Sequence, residues 1–180
     1  MKFYRQEIID IVIASFVLSL AFSLAIKKVD LIDFLLVSLI VVPSFLLHEL
    51  AHKYFAQRYG YVALFVKFDI GLFIALLSSF FGFIFAAPGA VVISEVRRKA
   101  HLLIISLSGP LTNILLSILG LLLYNVVNVG IMGIFAYINA FLAFFNLLPI
   151  PPLDGFKIFS TNKIIWIIAM LISAVMLLLT

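Results

Sequence analysis

Two histidines and a glutamate in the run His48-Glu49-Leu50-Ala51-His52 are the residues best suited to chemistry. On an α-helix, positions i and i+4 lie on one face, so both imidazoles can bind one metal ion. Glu49 is rotated from His48 by about 100° around the helix axis, which places its carboxylate beside the ion. A carboxylate in that place can act as the general base for a water molecule that the metal activates. The motif therefore predicts metal-assisted hydrolysis.

Hydrolysis at a zinc ion also requires a third protein ligand and an open position for water. Asp154 and His101 are the two candidates near a predicted membrane segment. His101 follows three basic residues, which is typical of the membrane interface, so Asp154 is the preferred ligand. An alternative is that Asp154 caps the helix that begins near Phe156. The remaining glutamates, Glu7 and Glu95, flank apolar segments and are not expected to bind the metal.

The composition indicates that these residues lie in a membrane. Of the 180 residues, 66% are hydrophobic and only 11% are charged, so a soluble globular fold is excluded. The net charge of +4 comes from basic residues that lie singly or in short clusters between apolar runs, which is typical of membrane flanks and not of a nucleic-acid surface. The chain has no cysteine, which excludes disulfides and thiolate metal sites. We therefore expect residues 1–180 to form a single membrane-embedded domain.

The apolar runs predict an all-α polytopic membrane protein with five to six transmembrane helices. The first run has the basic start of a signal peptide, but it is longer than a typical signal sequence, so we interpret it as a retained span. Acidic residues before the second run suit a helix N-terminus. The predicted spans are 8–26, 34–59, 101–124, 131–149 and 163–179.

Residues 70–93 decide the topology, because they contain no charge but are broken by Ala87-Pro88-Gly89. If this segment enters the membrane and returns on the same side, all of the 12 lysines and arginines except Lys27 and Lys28 face one side. A full crossing would divide them almost evenly, which the positive-inside bias disfavours. We therefore predict a re-entrant helix/strand segment over 70–93 and a cytoplasmic N-terminus. The same topology brings Asp154 to the cytoplasmic side, together with the two histidines.

The chain resembles the site-2 protease family of intramembrane zinc metalloproteases. The resemblance rests on the motif at 48–52, on the N-x-x-P-x-x-x-L-D-G pattern over 146–155, and on Ser-Gly-Pro-Leu-Thr-Asn over 108–113. These motifs also occur along the chain in the order that is expected for the family. The resemblance implies one zinc ion, a catalytic base and an asparagine that steadies the reacting carbonyl. By that resemblance the zinc ligands are His48, His52 and Asp154, the base is Glu49 and the asparagine is Asn146.

Three asparagines near these motifs have more than one interpretation. The Asn146 amide can donate to a developing oxyanion, or it can bond to carbonyls freed by the nearby prolines. Asn139 lies two helical turns earlier on the same face and could line the same polar path. Asn113, with its neighbouring glycine and proline, is predicted to support helix packing more than chemistry.

The function predicted from these observations is hydrolysis of peptide bonds in transmembrane protein substrates within the lipid bilayer of the cell. A helical substrate must unwind first, and residues 90–93 could offer an edge strand to the unwound segment or could simply pack. A membrane metal-ion transporter that uses the same ligands is the alternative, and a catalytically silent binding protein is a third. The segment after the metal-binding helix is expected to be more helical than the β-rich insertion common in the family. No PDZ domain or nucleotide-sensing tail is expected.

Overall fold

The computed structural model describes residues 1–85 and 88–180. The Ala87 part of the predicted Ala87-Pro88-Gly89 break therefore lies outside the described residues. Within these residues the chain forms seven helices, which make up most of the structure. They are α1 (Arg5–Ala25), α2 (Leu31–Arg58), α3 (Asp69–Ser79), α4 (Lys99–Val127), α5 (Gly130–Asn146), α6 (Asp154–Thr161) and α7 (Lys163–Leu179).

Three of the helices in the described part of the chain, α1, α2 and α4, are long and apolar enough to cross a membrane. Two shorter apolar helices, α5 and α7, have 17 residues each. At 1.5 Å per residue, such a helix extends about 25 Å, which is near the lower limit for crossing the hydrocarbon core. The membrane character of the chain is thus confirmed, while the number of spans stays a prediction.

Helix boundaries differ from the predicted ones where local chemistry sets them. The helix in the predicted span 131–149 ends at Asn146, because helical geometry is disfavoured for the residue that precedes Pro149. A short separate helix, α6, follows this break and begins at Asp154. The fourth helix continues beyond 124 to Val127, where Asn128 ends it in the left-handed conformation, with φ of 51°. The last helix has the predicted bounds, 163–179.

A two-stranded antiparallel sheet, which we call the hairpin, follows the proposed metal-binding helix, in a region that was predicted to contain a helix/strand segment over 70–93 and to be more helical than the family's β-rich insertion. The strands are β1 (Ala63–Lys67) and β2 (Gly89–Ile93), and Phe65 lies opposite Val91. Helix α3 lies between them in sequence, so 70–93 is not one continuous element. With 11 residues, α3 is about 16 Å long and too short to cross the membrane alone. β1 has only five residues, a run too short for periodicity to distinguish a strand from a helix.

The long helices pack tightly around α2 and α4, the elements that carry the proposed chemistry. Helix α4 contacts both α2 and α5, and α1 contacts α2. At the α4–α5 contact, a Cβ atom built on Gly120 would lie 2.9 Å from the backbone nitrogen of Ala136. Small residues allow helix backbones to approach this closely in a membrane, where packing drives helix association.

Candidate metal centre and active site

His48, His52 and Asp154 come together in three dimensions although 106 positions separate His48 from Asp154. The Nε2 atom of His52 lies 2.9 Å from Oδ2 of Asp154, and the Nε2 atom of His48 lies 3.3 Å from the same oxygen. The two Nε2 atoms are 3.0 Å apart. Ligand atoms around a tetrahedral zinc ion are about 3.3 Å apart, as calculated from its bond lengths. The three side chains therefore present donor atoms at nearly the spacing that zinc requires.

The break between α5 and α6 brings Asp154 to the histidines. Leu153 is the N-cap of α6, and Asp154 is its first residue, with the side chain directed to the histidines instead of capping the helix. Gly155 allows the close return of the chain, because a Cβ atom there would lie 2.5 Å from the carbonyl oxygen of Leu148. The capping role considered for Asp154 is thus wrong, and its carboxylate is available as a ligand.

Hydrogen bonds at Nδ1 orient both histidine rings. The Nδ1–H of His52 donates to the backbone carbonyl of Ile105 at 2.6 Å, and the Nδ1–H of His48 donates to Oδ1 of Asn113 at 2.5 Å. Both acceptors lie on α4. With the proton on Nδ1, the lone pair of each ring lies on Nε2, which faces Asp154. This tautomer is the one that can bind a metal at Nε2.

A buried amide network holds Asn113 in place. Its Nδ2 atom donates to the carbonyl of Ser44 at 3.0 Å and to Oδ1 of Asn139 at 2.8 Å. The amide of Asn139 in turn donates to Oγ of Ser44 at 2.8 Å. Because Asn113 uses its amide nitrogen as a donor, its Oδ1 is the atom that accepts from His48. The network links α2, α4 and α5 behind the metal-binding face.

Gly109 provides the space in which the two histidine rings meet. A Cβ atom built on Gly109 would lie 2.5 Å from Nε2 of His48 and closer still to Nε2 of His52. Helix α4 therefore passes directly over the proposed metal-binding atoms, and a residue without a side chain keeps that space open. The donor set, its spacing and this space all fit a single zinc ion.

Glu49 lies beside the three proposed ligands, as the helical rotation predicts. Its side chain is buried, and its Oε2 atom accepts a hydrogen bond from the backbone N–H of Val91 at 3.1 Å. Glu49 and the three proposed ligands line one cavity of 510 Å³. Other parts of its wall come from β2, Asn146 and Lys157. The cavity therefore brings the three proposed metal ligands and the Glu49 carboxylate together.

Comparison with known proteins agrees with this geometry. Residues 125–174 match peptidase family M50. A protein of Methanocaldococcus jannaschii named "Putative zinc metalloprotease" is 37% identical over 179 residues, which cover 93% of this chain and 90% of that protein. The chain belongs to peptidase family M50, the site-2 protease family. A second relative, from Bacillus subtilis and with the same printed description, is 31% identical over 153 residues, which cover 72% of this chain and 68% of that protein. No solved structure matches this chain significantly.

Membership in the family confirms that the chain is a zinc metalloprotease of the membrane. Zinc is its cofactor, in agreement with the donor set of the His48, His52 and Asp154 cluster. The matched range contains Asn146 and Asp154 and lies wholly C-terminal to the histidines. The roles proposed for His48, Glu49 and His52 therefore rest on the geometry of the site.

Electrostatics of this M50 peptidase favour a charged Asp154. Burial alone would disfavour the charged carboxylate, but the ammonium of Lys157 lies next to it and favours that form. Lys157 donates to Oδ1 of Asp154 at 3.2 Å, which leaves Oδ2 facing the histidines. A carboxylate held in this way presents one oxygen to a cation.

Two other residues were considered for the site from the sequence, Asn146 and His101, and the structure places only Asn146 at the cavity among its described residues. Asn146 lines the cavity, and its amide donates to the carbonyl of Leu142 within its own helix at 3.0 Å. His101 stacks on Tyr59 and bonds to the hydroxyl of Tyr61 at 2.9 Å, so among the described residues it is not part of the metal-binding group.

Sequence reasoning underestimated Asn113, which was predicted to support packing but contacts His48, a proposed metal ligand. Its position within the Ser-Gly-Pro-Leu-Thr-Asn motif was the available signal. Sequence reasoning also missed Lys157, which lies one helical turn after Asp154. The i to i+3 spacing of an acid and a base at the start of a helix could have indicated that pair.

Proposed function

We propose that this M50 peptidase hydrolyses peptide bonds within transmembrane segments of protein substrates, as in regulated intramembrane proteolysis. The observation that carries the proposal is the position of Glu49 beside His48, His52 and Asp154 in one cavity. The histidines and Glu49 are buried in α2, a helix of 28 residues that is apolar enough to cross a membrane. A charged group at that depth is costly and typically serves function.

The proposed mechanism assigns one task to each side chain. His48, His52 and Asp154 would hold the zinc ion. When bound, zinc polarises the substrate carbonyl and makes water a stronger acid. Glu49 accepts a proton from the attacking water and then delivers it to the leaving amine. Asn146 turns its amide from the carbonyl of its own helix to the reacting carbonyl oxygen, an interaction that contributes about 3 kcal/mol in comparable sites.

The edge of β2 is the proposed binding surface for the unwound substrate. The N–H of Val91 points away from β1 and toward Glu49. Because every second residue of a strand directs its backbone groups to the same edge, Gly89 and Ile93 present theirs to this edge as well. An extended segment paired there would place its carbonyls next to Glu49. This edge supports a substrate that binds as a strand after local unwinding of its helix.

The proposed topology follows the distribution of basic residues. Five spans, with 70–93 entering and leaving on the cytoplasmic side, would place the active site toward the cytoplasm of the cell membrane. The short α3 supports this path. It lies in sequence between β1 and β2, and because these strands pair with each other, the chain enters and leaves this segment at the same place. In this arrangement, residues 1–180 act as one membrane-embedded protease domain.

The test compares purified wild-type protein with Glu49→Gln on a single-span membrane substrate, with zinc content measured in both. We expect the variant to keep zinc and to lose cleavage, because glutamine preserves shape but cannot accept the proton. Asp33→Asn, a change at an exposed ion pair with Lys28, is the control. A Glu49→Gln variant that cleaves normally would contradict the proposal, and zinc transport by either protein without cleavage would favour the transporter alternative.

A further inference from the structure

A buried ion pair outside the catalytic cavity links the first two helices. Nζ of Lys53 lies 2.5 Å from Oε1 of Glu7, and the two residues are only 1% and 3% exposed. Lys53 directly follows His52 in α2, whereas Glu7 lies in the first turn of α1. Charges buried this deeply need compensating partners. Glu7 and Lys53 contact each other, and each also contacts a backbone group of β1.

The outer edge of β1 supplies those partners. The backbone N–H of Phe65 donates to Oε1 of Glu7 at 3.0 Å, and the N–H of Lys67 lies 3.4 Å from Oδ2 of Asp10. Lys53 donates to the carbonyl of Ala63 on the same edge at 3.0 Å. Side chains therefore bind the outward backbone groups of three alternate residues, the positions that a neighbouring strand would bind.

We propose that Glu7, Asp10 and Lys53 are positioning residues that take the place of a third strand along β1 and so direct the substrate to β2. This inference rests on the proposed pairing of substrate with the β2 edge. We call the three side chains the edge clamp. It closes the edge of the hairpin that faces away from Glu49 and ties that edge to the helix that carries the metal-binding histidines.

The geometry of a two-stranded sheet explains why such a clamp matters. Either edge of a hairpin can template an incoming strand. A strand paired with β2 lies about 4.8 Å from it, next to the N–H that contacts Glu49. A strand paired with β1 would lie about 10 Å from β2, with the hairpin between the substrate and the base. Only pairing with β2 is productive, so closure of the β1 edge prevents a futile binding mode.

The ion pair also fixes the hairpin relative to the metal-binding helix. Lys53 reaches from the position after His52 to both Glu7 and Ala63, so α1, α2 and β1 share one anchor. The aromatic ring of Phe3 covers the ammonium group at 4.7 Å. A shift of β1 along its own axis would break the contacts that Ala63, Phe65 and Lys67 make with these side chains. The clamp therefore sets the register of the hairpin against the catalytic residues.

The experiment uses the full chain in lipid nanodiscs and a double variant, Glu7→Leu with Lys53→Met. The double change removes both charges, so neither is left buried without its partner, and it deletes the acceptor for the Phe65 amide. Asp69→Asn is the matched control, since Asp69 forms an exposed ion pair with Lys67 beside the same strand but off its edge. Measurements are backbone amide hydrogen exchange, zinc content, kcat, KM and the position of the cut.

We expect the Phe65 amide to exchange about tenfold faster in the double variant, in line with the loss of one buried hydrogen bond. Leu64 and Val66 amides, which face β2, should keep their protection, and zinc content should not change. KM should rise several-fold with kcat nearly constant, and cleavage should spread to neighbouring bonds. Purely structural damage would instead lower folded protein, zinc and kcat together.

Either of two results would overturn the inference. Unchanged exchange of the Phe65 amide would show that the clamp does not order the β1 edge. Faster exchange with unchanged KM and cut position would show that the ordered edge does not direct the substrate. If the wild-type protein cleaves no transmembrane substrate but does cleave a flexible peptide, the proposed function fails, and the cut position in that peptide still tests the clamp.

Discussion

The backbone N–H of Val91 donates to the carboxylate of Glu49, a contact that joins the second strand of the hairpin to the metal-binding helix across 42 positions of sequence. The proposed base and the proposed substrate edge are thus fixed relative to each other. A carbonyl held along β2 would reach Glu49 without a rearrangement of the hairpin. This contact therefore holds the hairpin and the motif helix together at the proposed substrate edge.

Val91→Pro tests this edge directly. Proline removes the outward N–H while keeping the ladder bonds to β1, because proline is tolerated at an edge whose N–H faces away from the sheet. We expect kcat/KM for a transmembrane substrate to fall about tenfold, with zinc content retained, because this N–H contacts Glu49 and lies at the proposed substrate edge. Val92→Pro is the informative comparison, because Val92 pairs with Leu64 and its N–H faces β1, so that change should also weaken the hairpin. Normal cleavage by Val91→Pro would contradict substrate pairing with β2.

Gly109→Ala should disrupt zinc binding. The added methyl group would overlap the Nε2 atoms of both histidines, so the rings must move from the positions that face Asp154. We expect zinc affinity to fall at least about 100-fold, as measured by competition with a chelator. Gly133→Ala is the matched control, since its Cβ would only touch the ring of Tyr124 at an ordinary 3.5 Å. Equal zinc affinity of the two variants would show that Gly109 does not keep the site open.

The sequence predicted which candidate site residues lie together better than it predicted the contacts that hold them in place. His48, Glu49 and His52 lie on one helix, so helical periodicity alone places them together. The approach of Asp154 followed from topology and family resemblance. In contrast, the contact of Glu7 with β1 depends on the packing of α1 against a hairpin whose five-residue strands carry little periodic signal. Residues that act through tertiary contacts, such as Glu7, leave no local pattern.

Asn113→Ala should lower zinc affinity without unfolding the protein. The change removes the acceptor for Nδ1–H of His48 and leaves the Asn139 amide oxygen without its donor. Loss of such a partner typically lowers metal affinity by about 10- to 100-fold. Asn125→Ala is the control, because Asn125 is an exposed asparagine of the same helix whose amide donates to the carbonyl of Leu121. If chelator competition gives the same affinity for both variants, His48 does not need Asn113 for its orientation.

Lys157→Met should loosen Asp154 while preserving the length and packing of the side chain. Lys157 binds Oδ1 of Asp154 and so keeps Oδ2 directed at the histidines. Without that contact the carboxylate can rotate, and we expect zinc to dissociate about tenfold faster, measured by transfer to a fluorescent chelator. Lys157→Arg should restore most of the retention, because arginine also donates to a carboxylate. Lys163→Met, a change at the start of the next helix, is the control. Equal dissociation rates for Lys157→Met and wild-type protein would show that the lysine does not hold the ligand oxygen in place.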